Sequence, residues 1–206
     1  AQTLAQKGDR EGALAAVRQA LTMADNIGME DYKAEALREM FRVLVNTGEW
    51  VGALDIAEKL VDDRYKDKVL TGCARGLALA GNTQGALEAA NNIVDDNSKA
   101  EALSGVAAGL AIAGNPEGAI LVAHQIVDAN VKVVALSGVA GALATAGNGE
   151  MAQQAARLAL DAAEMIKDQS VAEDAISIVV QVLAQAGDRV GLRRALAAVE
   201  KIEGGW

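Results

Sequence analysis

The chain has 206 residues, enough for one domain, or two small ones, with a sizeable core. Its residues are 51% hydrophobic but only 2% aromatic, and 44 are Ala against one Pro, which predicts a mainly helical chain with closely spaced helices. The net charge of −9, from 19 basic and 28 acidic groups, lacks the electrostatic footprint of a nucleic-acid binder. A single Cys excludes an internal disulfide framework and predicts a reducing compartment, the cytoplasm. No charged-then-apolar leader opens the chain, so no signal peptide is expected. The longest charge-free run, Val133 to Gly149, holds Ser, Thr, Asn and four Gly, and is too short and polar to insert in a membrane.

In chain order, a glycine closes one apolar helical run after another: Gly8, Gly48, Gly81, Gly114, Gly147 and Gly187, spaced by 40, 33, 33, 33 and 40 residues. The middle units read LTGCARGLALAGN from Leu70, LSGVAAGLAIAGN from Leu103 and LSGVAGALATAGN from Leu136. Each glycine is predicted to turn left-handed just past a helix, where it meets no steric cost. Asn82, Asn115, Asn148 and Asp188 follow and are predicted to cap the next helix. Pro116 falls at a first helical position, where its missing N–H costs nothing. Asp62, Asp95 and Asp128, each with a Lys four residues on, place an acid at the start of each following first helix. The two longer spacings put about two extra turns into second helices, near Leu21–Ile27 and Leu160–Ile166. The expected organisation is one all-α domain over residues 1–206. It has a partial helix at 1–7, five antiparallel helix pairs and one further second helix, stacked as an α-solenoid.

These residues resemble tetratricopeptide repeats. The unit length, the Gly-Asn/Asp turn and the small residue five positions after it (Ala53, Ala86, Ala119, Ala152) carry the likeness, with Trp50 as the aromatic two residues after a turn glycine. The resemblance spans nearly the whole chain. It implies five to six helix-turn-helix repeats in a right-handed superhelix whose first helices line a concave groove. The large aromatic that opens the family's first helix is Leu37, Leu70, Leu103, Leu136 or Ile176 here, and its Tyr is Leu77, Leu110 or Leu143.

On the family's pattern the groove positions include Arg38, Arg42, Asn46, Thr71, Arg75, Ser104 and Ser137, with Ala108, Gly141, Ser177 and Gln181. Arg can hold a carboxylate in a bidentate pair, so this face is expected to receive an acidic segment of a protein partner. Thr71 and Ser104 would bond that segment's backbone. The family's carboxylate clamp is not reproduced, because Gly72, Gly105 and Glu101 stand where Asn and Lys are required. The alternative is that Glu35, Glu39 and Asp67 neutralise the arginines within the fold. The glycines inside first helices (Gly72/Gly76, Gly105/Gly109, Gly138) cost about 1 kcal/mol each relative to Ala. They serve either a neighbouring helix or a partner lying in the groove.

No P-loop, GxGxxG, HExxH, calcium-loop or CxxC pattern occurs, and no cofactor or metal is expected. His124 stands alone and reads as a packed or surface imidazole. Cys73, in an apolar run, reads as a buried inert thiol. The expected function is a non-enzymatic protein–protein interaction scaffold. The alternative is a self-assembling protein, with Trp206 on a Gly-Gly tether docking on the next molecule to form homo-oligomers or filaments.

Overall fold

The computed structural model describes residues 9–24, 26, 30–60 and 63–203, without the side chains of 30, 31, 34, 38, 46, 63, 64 and 201–203. Gly8, Trp206, the partial helix at 1–7 and the cap expected at Asp62 therefore lie outside the described residues. All regular structure among the described residues is helical, in eleven helices. They are α1 Arg10–Ala24, α2 Glu30–Thr47, α3 Trp50–Glu58, α4 Asp63–Leu79, α5 Thr83–Asn91 and α6 Asp96–Ile112. They continue as α7 Pro116–Gln125, α8 Ala129–Thr145, α9 Gly149–Glu164, α10 Gln169–Gln185 and α11 Arg189–Glu203. Of the second helices, α3 and α5 have 9 residues and α7 has 10, but α1 has 15, α9 16 and the last, α11, 15. The two longer spacings are thus taken up where the sequence placed them.

The turns follow local chemistry. Gly48, Gly81, Gly114, Gly147 and Gly187 have φ between 69 and 82°, the left-handed region that L side chains avoid. After α8, Gly147 N–H donates to Ala144 O and Asn148 N–H to Leu143 O, which closes the helix with a Schellman motif. The same bond pair recurs at Gly48, Gly114 and Gly187. Asn148 then turns round and accepts from Met151 N–H with its own side chain, as Asn115 does from Gly118 N–H. One residue ends one helix and starts the next, and the cap stabilises it by about 1 kcal/mol. Asp95, Asp128 and Asp168 cap α6, α8 and α10 through Ser98, Val131 and Val171 N–H. Glu49 makes no such side-chain cap; its carboxylate pairs instead with Arg10 at 2.5 Å.

The helices group into two compact units, residues 1–77 with 84–99 and residues 78–83 with 100–206. In the first, α1 packs on α2 and α2 on α3. The buried Asp67 carboxylate of α4 accepts Val94 and Asp95 N–H at 3.1 and 3.0 Å, which ties α4 to the turn before α6. In the second, α7, α8, α9, α10 and α11 each pack on the next, and α8 also touches α10 and α9 touches α11. The core is made of aliphatic side chains and alanines. Ala53, Ala86, Ala119 and Ala152 are completely buried, and Leu37, Leu70, Leu136 and Ile176 are at most 1% exposed. With alanine at so many contacts, little side chain holds the helices apart.

Candidate functional site

The exposed face of α4, in the first unit, carries Lys68, Gly72 and Arg75, at i, i+4 and i+7 on one stripe. Lys68 and Arg75 make no ion pair with any described residue. Between them a Cβ built on Gly72 would meet only Phe41 Cζ of α2, at 3.9 Å. The floor between the two cations is therefore open. Thr71, on the flank, spends its hydroxyl proton on Asp67 O at 2.9 Å, so towards a partner it can only accept. On α2, Arg42 donates to Glu39 Oε1 at 2.6 Å, an exposed pair one turn apart. Arg42 is thus balanced within its own helix, as the alternative reading had it. Asp67 takes no part in neutralising the arginines, because its carboxylate is occupied by backbone N–H groups. Arg38 and Asn46 lie on α2, with side chains outside the described residues.

Lys68 was missed in the sequence, although its spacing to Arg75 was the signal that places two cations on one helical face.

In the second unit the corresponding face holds small residues. Ser104 and Ala108 on α6 are half-buried, and Ser177 and Gln181 on α10 are exposed. On α8, a Cβ at Gly138 or Gly141 would meet nothing within 4 Å. Ser137 departs from the expected placement. It is 5% exposed, and its Oγ has no hydrogen-bond partner. The cause is rotational: each residue advances about 100° round a helix, so the neighbour of an exposed glycine can lie on the buried flank.

The interior glycines divide. Gly76 lies under the Trp50 ring, and Gly109 lies against Ala78 and the Leu79 backbone, where a Cβ would be 2.8 Å from Ala78 Cβ. These two serve internal packing. Gly138 and Gly141 do not.

Burial pushes the Cys73 thiol up to about 12, which keeps it protonated and unreactive at neutral pH. His124 is exposed on α7. Among the described residues no group of three or more His, Cys, Asp and Glu could hold a metal ion, and no helix is long and apolar enough to cross a membrane.

No protein-family model matches the chain, and no curated protein matches it.

Proposed function

We propose that this chain is a binding module of tetratricopeptide-like architecture, its helix pairs stacked in a right-handed solenoid, that receives an acidic segment of a partner protein on the exposed face of its first helices. Its work on this reading is binding rather than chemistry, in a reducing compartment. The observation that carries it is the α4 stripe: Lys68 and Arg75 pair with no acid among the described residues, and the open Gly72 between them lets a partner backbone come close. Two exposed cations that meet no described acid, in a chain of net charge −9, are placed to meet carboxylates from outside.

The test is binding of a fluorescent Asp/Glu-rich peptide to the full chain, read by anisotropy. Reversing Lys68 and Arg75 to Glu should abolish binding and leave stability within about 1 kcal/mol, because exposed unpaired charges contribute little to folding. Arg42→Glu should cost binding less, since Glu39 already balances that cation. Binding should also weaken with salt. Unchanged binding in the double reversal removes this face from consideration. Unfolding would show that the cations are structural.

A further inference from the structure

A concavity lies on different helices from the α4 stripe, between α7 and α9 of the second unit. Its volume is about 510 Å³, and it is lined by Glu117, Ile120, Leu121 and His124 of α7 with Met151, Gln154 and Leu158 of α9. On α7 these residues fall at i, i+3, i+4 and i+7, and on α9 at i, i+3 and i+7, so two helical stripes form the walls. The floor is apolar and the rim polar. Leu121 is 64% exposed.

Three features select the occupant. The groove follows two helical turns, about 10 Å, which suits two or three side chains one turn apart. Between the first and last turns its walls offer no free backbone donors or acceptors, because α7 and α9 satisfy their own there. An extended segment would leave its peptide groups unpaired over an apolar floor, whereas a helix satisfies its backbone internally. The third feature is charge. Glu117 and Glu150, in the first turns of α7 and α9, are exposed and pair with no described cation. On α9 itself Arg157 is already engaged by Asp188.

We propose that this groove is a second docking site, which takes an amphipathic helix of a partner protein with Leu-like side chains on one stripe and Lys or Arg in its last turn, over Glu117. Lying antiparallel to α7, such a helix brings its negative dipole end and its own cations to the same place. The chain's own α11 does not supply this stripe, because Arg189, Arg193 and Glu200 break up its exposed apolar residues. The site involves neither Lys68 nor Arg75, so it stands independently of the acidic-segment reading.

The experiment uses the full chain and a fluorescein-labelled, side-chain-stapled helical peptide with Leu at i, i+3 and i+7 and two Lys in its last turn. A second peptide carries Glu in place of Lys. The Lys peptide should bind, and the Glu peptide should bind at least about tenfold more weakly. Leu121→Asp, at an exposed position that leaves the helical circular dichroism unchanged, should weaken the Lys peptide at least about tenfold. Glu117→Lys should reverse the preference between the two peptides. No binding, equal binding of both peptides, or indifference to Leu121→Asp overturns the proposal. Self-association of the wild-type chain in sedimentation that Leu121→Asp abolishes also overturns it, because the groove would then belong to a second copy.

Discussion

Helices α6 and α8 carry nearly the same letters, LSGVAAGLAIAGN from Leu103 and LSGVAGALATAGN from Leu136, yet their glycines do different things. In α6, Gly109 receives the end of α4 so closely that a Cβ would lie 3.2 Å from the Leu79 backbone nitrogen. In α8 the position equivalent to Gly109 is Ala142, and the glycine has moved one residue back, to Gly141. One residue is about 100° of rotation, enough to carry a missing side chain from a packed flank to an open one. The lesson is that a stripe of small residues does not declare its use. Both helices accept the helix-propensity penalty of glycine, but only in α6 does a described neighbour account for it.

The comparison can be broken most sharply at Gly109. Gly109→Leu should destabilise the chain by about 3 kcal/mol, the upper end for overpacking, because one of the atoms in the way is backbone and cannot rotate aside. Gly141→Leu should be neutral or stabilising. Denaturant midpoints of the two variants decide it. Equal shifts would mean that α6 and α8 pack alike.

A smaller effect separates the turns that follow these helices. Asn115 ends α6 and Asn148 ends α8, but after α10 the same place is held by Asp188. Its buried carboxylate caps α11 through Val190 and Gly191 N–H and also takes a bidentate bond from Arg157 Nε and Nη2 at 2.5 and 2.9 Å. Asp188→Asn makes this turn chemically like the other two and keeps a good capping residue. It should cost about 1–2 kcal/mol at neutral pH, the contribution of a charge-assisted pair reduced by the half-exposed Arg157.

The Arg157 guanidinium holds the Asp188 carboxyl below its ordinary value of 3.8. A depressed carboxyl contributes stability that is complete above the ordinary value and is lost as pH falls through the lower, folded one. The difference between wild type and Asp188→Asn should therefore be full at pH 7 and shrink in acid below about pH 4, as comparison of unfolding midpoints would show. A constant difference would mean that the charge is not what distinguishes this turn.

The smallest effect sharpens the open side. Gly138→Ala and Gly141→Ala should each raise stability by up to about 1 kcal/mol, the propensity difference between the two residues, because nothing lies within 4 Å to resist a methyl group. Thermal unfolding followed by circular dichroism measures it. A loss instead of a gain would place a neighbour over α8.

Most of the helical framework was legible in the sequence. Five of the predicted turn glycines have positive φ, the caps at Asn115, Asn148 and Asp188 form, and the extra turns fall in α1 and α9. The candidate site was legible only in outline. Arg75, expected in a concave groove, stands on an exposed face of α4, and Lys68 stands beside it on a spacing that was there to be read. The pairing of Arg42 with Glu39 was one of two open alternatives. The burial of Ser137 was not foreseen, because the pattern alone does not tell which flank of α8 its neighbours cover.

The division has a physical cause. A left-handed glycine, an Asn or Asp cap and a proline at a first helical position act on backbone groups within about five residues, so their outcome is written locally. The Asp67 carboxylate finds its N–H donors 27 and 28 residues on, Asp188 finds Arg157 at a separation of 31, and Gly109 finds Ala78 across the turn and α5. Those partners are chosen by how helices settle against one another. The register of each glycine is written in the sequence, but which flank of α6 or α8 a neighbour covers is decided only by the tertiary structure.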